Sequence, residues 1–501
     1  MNQEDFFRAR LEHMIDLTHP LAVLAKRLPW EQIETTLAPL FEHKAKPVQG
    51  GVVQDLLGKH ERQTGGNVSE AGHPRLPVRL MASLVYLKHS FNLSDEELVE
   101  RWSENVVWQY FSGMAYYEPR LPCDGTQIGR FRRDLGKAGL EQLLKFTLQT
   151  ALELKAVKPA EFERIIVDTT VQEKAIAYPV DSRLLEIARY KVVQAAKHAG
   201  IQLKQTYAKE GKTLRRKAGG YAHARQMKRL NRTVKRQRTL LGIVIREVKR
   251  KLDTAIPDSP LALPRLNTIL ERAERIRTQQ RHDKNKLYAL HAPEVECISK
   301  GKARQRYEFG VKVSLAVTHK QGLMVGAMTC PGNPYDGHTL EQQLTQTNQL
   351  IEQTERVVKQ TVVDLGYRGV DGKNPGIEII HRGKNSKLTR QQRRWLRRRQ
   401  AIEPGIGHLK QDHRLNRCYL QGALGDALNA LCSAVGYNLR WLMRAVVRLK
   451  LGPVFLRLIR ATAFLAHALR LPMVCAARVL AQRHVHALSC GAVVPTLGFR
   501  A

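Results

Sequence analysis

Two short β-branched runs, each closed by an aspartate, constrain the fold of this chain more than any other feature. Ile165-Ile166-Val167 leads into Asp168, and Thr361-Val362-Val363 leads into Asp364. Such runs, bounded by polar loops, suit buried strands. Between them, residues 307–318 alternate in part through Phe309, Val311, Val313, Leu315 and Val317. The turn His319-Lys320-Gln321-Gly322 and a second apolar run at 323–328 complete a hairpin signal. Residues 338–358 read as a helix with Leu340, Leu344, Leu350 and Ile351 on one face; 377–380 is a further strand, and helix returns from 389. Strands that first neighbour one another and then alternate with helices predict a mixed five-stranded sheet flanked by helices, an α/β domain over 159–450.

The rest of the chain reads differently. Residues 1–66 are expected to be a helical arm and linker: 1–46 read as helical, with Leu21, Leu24, Leu28 and Ile33 apolar, and a linker or loop follows around 47–74 that holds Gly50, Gly51, Gly65 and Gly66. Residues 67–158 form a helical unit: Val78, Leu80, Met81, Leu84, Val85 and Leu87 recur at helical spacing. Ser94 suits an N-cap ahead of three acids, and Thr126 suits the cap of a short helix that Gly136 would end. That helix offers Arg130, Arg132 and Arg133, either to clamp DNA in a helix-turn-helix manner or as a solvated basic face over a helical core. Inside the α/β domain, about 181–305 reads as a mostly helical insertion. Its section 204–251 carries seventeen Lys or Arg against two Glu, a density expected of a phosphate-binding surface, although a solvated hairpin or a basic arm would look the same. The tail 451–501 mixes apolar residues with arginines and has no assignable role.

The formal net charge is +36. It favours a polyanionic partner, nucleic acid above an anionic membrane surface. The opening residues carry no signal-peptide pattern, and arginines interrupt the apolar stretch at 453–482 well short of the ~20 residues a bilayer needs. Seven cysteines lie scattered without a CxxC pair, which points to a reducing cytoplasm without disulfides or structural zinc.

Asp168 and Asp364 share a setting, each at the end of a strand run and before a polar loop, where functional groups of α/β sheets emerge. A third acid, Glu403, stands among nine Lys or Arg between Lys387 and Arg414. On a continuous helix Arg399, Glu403 and Lys410 fall within about 40° of one another. Pro404 either kinks that helix or starts a new one at its first position, and the second case would leave Arg399 outside it. Three carboxylates suit magnesium, which prefers hard oxygen ligands; two such ions can serve an in-line displacement at phosphorus. His338, His408 and His413 have no zinc spacing and read as structural or DNA-contacting.

At these residues the chain resembles the DDE transposases of bacterial insertion sequences, particularly the IS five family. That family's C-terminal signature is Y, two residues, R, three residues, E, six residues, K. Arg399, Glu403 and Lys410 match it in register, whereas Leu396 stands at the tyrosine position with Trp395 beside it. VDTTVQEKAI resembles the first-aspartate block and VVDLGYRG the second, and residues near 75–140 resemble the helical N-terminal domain. The resemblance implies an RNase H-like catalytic fold behind a helical DNA-binding domain. It implies Asp168, Asp364 and Glu403 as the catalytic metal-binding triad, with magnesium or manganese as two ions. Arg399 and Lys410 would contact DNA or support the triad. The expected partners are the terminal inverted repeats and target DNA, engaged by a homodimer or larger assembly in a bacterial, nucleoid-associated setting. A DNA-binding remnant without catalysis and a nuclease that cuts without joining are the other readings.

Overall fold

In the computed structural model, which describes residues 9–41, 49–55, 58–64, 76–252, 261–299 and 306–453, local chemistry sets many helix ends. The first elements are α1 (Leu11–Met14), α2 (Pro20–Arg27) and α3 (Trp30–Leu37). Pro20 occupies the first position of α2, where its missing N–H removes no helical bond. Leu21, Leu24, Leu28 and Ile33 are all buried, and they join the core that runs through the later helices and the sheet. This helical segment therefore packs into the main body. The expected linker is also corrected in part: β1 (Gln49–Asp55) and β2 (Gly58–Thr64) pair antiparallel, Gln49 opposite Thr64. Glycine signals a loop only where no partner strand supplies backbone hydrogen bonds, and here each strand supplies the other's.

The helical unit comprises α4 (Val78–Ser90), α5 (Asp95–Glu104), α6 (Val106–Phe111) and α7 (Gly125–Glu153). Ser94 caps α5 in a reciprocal capping box with Glu97, an arrangement worth about 1 kcal/mol. The cap of α7 is Asp124 in place of Thr126: its carboxylate accepts from the Thr126 N–H at 2.8 Å and from the Thr126 hydroxyl at 2.6 Å. Gly136, at φ 60° and ψ −167°, breaks α7 where the helix was expected to end, after which helix resumes.

The α/β part runs β3 (Arg164–Lys174), α8 (Asp181–His198), α9 (Ala208–His223), α10 (Met227–Arg250), α11 (Ala262–Thr278), β4 (Glu296–Ser299), β5 (Tyr307–Thr318), β6 (Met324–Cys330), α12 (Leu340–Leu350), β7 (Gln360–Val362), β8 (Glu378–Ile380), α13 (Arg390–Arg398), α14 (Ile402–Asp412), β9 (Arg417–Cys418) and α15 (Gly422–Arg448). The body of the sheet has the order β6-β5-β3-β7-β8, with β5 antiparallel to β3 and β6, and β7 parallel to β3 and β8. Five strands were expected; among the described residues the sheet has seven. Short β4 extends the edge of β5 that β6 occupies, and two-residue β9 pairs with the far end of β3. Helix α15 is buried along most of its length against α4, α7 and β6. Its Asn438 donates to the Met324 carbonyl and accepts from the Met324 N–H, so a buried amide is satisfied by the strand it covers.

The insertion is helical as expected, but it returns to the sheet at β4, before residue 305. It has a hydrophobic core of its own, including Leu184, Val192, Leu241, Val244, Leu266 and Leu270. The tail from 454 onward lies outside the described residues, as do 47–48, 56–57 and 65–74 of the expected linker. Among the described residues no helix is long and apolar enough to cross a membrane.

Candidate active site

Sheet register places the first aspartate. Parallel pairing with β7 ends at Ile166 opposite Val362, and pairing with β9 resumes only at Glu173. Asp168 is therefore mid-strand in β3, not at the strand end that the sequence suggested, but on an edge from which the neighbouring strand has just departed. Asp364 follows β7 and opens a single 3-10 turn, Leu365–Tyr367. Glu403 lies in the first turn of α14, where an acid complements the helix dipole. A 3-10 turn at Arg399–Ala401 separates α13 from α14, so Pro404 sits within the first turn of a new helix, two residues later than the alternative that placed it first.

This turn buries the Arg399 guanidinium, and the three acids surround it. Arg399 reaches Asp168 Oδ2 at 3.3 Å, Asp364 Oδ1 at 3.8 Å and Glu403 Oε1 at 3.6 Å. Its side chain is 9% exposed, against 21% for Asp168, 50% for Asp364 and 62% for Glu403. The cation lies beneath and the carboxylates open outward. Burial raises the Asp168 carboxyl above its ordinary value; the Thr169 N–H and Arg399 oppose the shift, while Asp364 and Asp336 add to it.

Asp336 was missed in the sequence. It accepts from the Thr169 hydroxyl at 3.0 Å and from Lys312 Nζ at 2.9 Å, beside Asp168. A Cβ on Gly366 would come within 3.0 Å of Asp336 Oδ2, so the bare glycine lets the loop after Asp364 close on this fourth acid. The available signal was a polar turn, Pro331-Gly332-Asn333-Pro334, directly after a strand: the pattern of the other two aspartates, stretched by several residues. Also missed was a cleft of about 500 Å³ lined by Arg382, Arg390, Arg393, Leu396 and Arg397 along α13. Arg164 stacks 3.3 Å from the Trp395 ring centroid, pinning α13 to the start of β3.

The other named residues separate. Lys410 is half-buried on α14, two turns beyond Glu403; Arg130 and Arg133 are exposed on α7. Arg132 is a correction: it is buried and contacts both Asp95 oxygens, at 3.3 and 3.1 Å, so it has no guanidinium edge to offer DNA. Of the histidines, His413 is buried against the His89 carbonyl at 2.7 Å, and burial lowers its pKa to about 4. His408 Nδ1 lies 2.8 Å from Asp412.

The donor chemistry at Arg399 suits a hard divalent cation, since every ligand on offer is a carboxylate oxygen. Among the described residues, however, no three His, Cys, Asp or Glu side chains are gathered closely enough to form a ready-made ion cage. The three acids meet across the guanidinium and not against one another.

A mixed sheet in the order β6-β5-β3-β7-β8, with helices packed on it, fits an RNase H-like fold. The Transposase DDE domain model matches residues 275–439, from within α11 to within α15. The Transposase domain (DUF772) model matches 52–134, from β1 into α7. A Rhizobium meliloti protein described as "Uncharacterized protein ORF8 in nfe locus" is 38% identical over 224 residues, 45% of this chain and 95% of that protein. No solved structure matches the chain. The two domain matches indicate an insertion-sequence DDE transposase, an enzyme type that cleaves DNA and transfers strands with divalent metal ions. The matched DDE segment contains Asp364, Arg399 and Glu403 and leaves out Asp168.

Proposed function

We propose that this transposase is of the IS five type and that Asp168, Asp364 and Glu403 carry its chemistry at the terminal inverted repeats of its own element. The observation that supports this most is the meeting of three acids, 39 to 235 residues apart in the chain, at one buried arginine. Arg399 balances their mutual repulsion from below and leaves their outer oxygens accessible. Thr169 holds one Asp168 oxygen through its N–H at 2.8 Å, so that carboxylate enters the reaction already oriented. Bound at these oxygens, magnesium or manganese, as two ions, would supply charge stabilisation for the attacking and leaving oxygens.

In cleavage, a water oxygen bonds to phosphorus and the 3′ oxygen of the transposon end leaves, taking up a proton. In transfer, that 3′-OH attacks a target phosphate, loses its proton, and a target 3′ oxygen departs. Both steps are displacements that consume no oxidant or nucleotide cofactor. The arginine cleft along α13 and Lys410 hold flanking phosphates, and Arg130 and Arg133 contact DNA from the N-terminal unit. The assembly on DNA is a homodimer or larger.

Incubating the protein with a labelled terminal-repeat duplex, a target plasmid and magnesium tests the reading. Joined products support it. Cleavage without joining would identify a nuclease, and a bound but uncut duplex would identify a catalytically lost remnant.

A further inference from the structure

The helical insertion concentrates positive charge on surface that its own fold does not need. Its core uses the second half of α10, from Leu240 to Val248, packed with α8 and α11. The rest of the α9–α10 hairpin buries little: Gly211 and Ala218 in α9, Thr233 and Gln237 in α10. Between Gly211 and Arg246 there are twelve Lys or Arg and no Asp or Glu. Eleven of the twelve are exposed, and Arg238 is half-buried. The flanking acids offset little of this, Glu210 pairing with Arg236 at 2.7 Å and Glu247 with Lys251 at 2.9 Å.

At about 100° per residue, Lys228, Arg229, Arg232, Lys235, Arg236 and Arg246 occupy an arc of roughly 120° on α10, and they span ~27 Å of helix. Like charges three and four residues apart each destabilise an isolated helix by ~0.2–0.5 kcal/mol. A merely solubilising surface would intersperse both signs. A phosphate backbone laid along this face would remove the repulsion.

We propose that the exposed face of the α9–α10 hairpin binds the backbone of duplex DNA without reading sequence. The proposal rests on the transposase reading above. Lysine and arginine contacts to phosphates fix position and carry no base information.

The test uses the full chain and the variant K228Q/R229Q/R232Q/K235Q. Deleting 204–251 is unsuitable, because it removes Leu241, Val244 and Val248 from the insertion's core. Binding to a duplex of arbitrary sequence is followed by fluorescence anisotropy over a salt series without divalent metal. Four lost phosphate contacts should flatten the slope of log K against log salt by about 3.6, equally for unrelated sequences, with circular dichroism and Tm unchanged. An unchanged slope in the variant, beside a steep one in the wild type, overturns the hairpin proposal alone. A wild type with no salt-dependent DNA binding sinks the transposase reading as well. A loss confined to one sequence, or a loss only of binding to phosphatidylserine vesicles, would also overturn it.

Discussion

Two clusters of buried charge stand on strand β3, six residues apart, and they are built to opposite ends. Around Asp168, one cation faces three acids, and the two outer acids are at least half exposed. At Lys174, one cation faces two acids, Asp426 at 2.8 Å and Glu294 at 2.9 Å, and the site is nearly closed to solvent. Burial alone would lower the Lys174 ammonium, but its bonds to Asp426 and Glu294 outweigh that and raise it. The closed cluster joins the end of β3 to α15 and to the segment returning from the insertion. The open cluster keeps surplus negative charge within reach of water, the condition for taking up an external cation. Similar ingredients are thus sealed into a joint in one place and left open to water in the other, according to access and charge balance.

The sharpest way to break this contrast is Asp364→Asn, which removes one outward oxygen ligand and leaves the fold alone. Strand cleavage should drop by at least about 10³-fold, the equivalent of several kcal/mol of transition-state stabilisation, while gel-shift affinity for duplex stays unchanged. Retained cutting would show that the open cluster is not the reacting one. At the closed end, Lys174→Met should cost about 3–5 kcal/mol in urea denaturation, because it strands two buried acids. A loss under 1 kcal/mol would mean that water reaches them. Arg399→Met should cost only about 1 kcal/mol, since Asp364 and Glu403 are hydrated already. Equal losses at Lys174 and Arg399 would erase the distinction.

A smaller effect sharpens it further. The Asp168 carboxyl titrates higher in the folded chain than in the unfolded one, chiefly through burial. Its contribution to stability is therefore full below the unfolded carboxylate pKa and is lost as pH rises through the folded value. Without divalent metal, Asp168→Asn should raise Tm at neutral pH, and the gain should shrink toward pH 4. A gain that does not vary with pH would assign the effect to packing.

Where a feature depended on neighbours in sequence, it was legible. The hairpin of β5 and β6, the helical insertion starting at Asp181 and the capping box at Ser94 all follow from periodicity or from a side chain meeting a backbone group three residues away. The β1–β2 pair was lost because a glycine-rich segment reads as a loop until its partner strand is known. Arg132 and Arg133 look alike in one basic run, but only the packing of α7 beside Asp95 buries the first and exposes the second.

The sequence by itself determined that this chain has a strand-and-helix domain and a very basic insertion, and it offered Asp168, Asp364 and Glu403 as candidate acids by resemblance. Only tertiary structure decided that Arg399 lies under those acids, that Asp336 stands beside them, and that Lys174 is sealed away. Periodicity and capping are contacts over a few residues, written in local order. Which distant charges share a site depends on strand register and on where each neighbouring strand stops, and no local pattern encodes either.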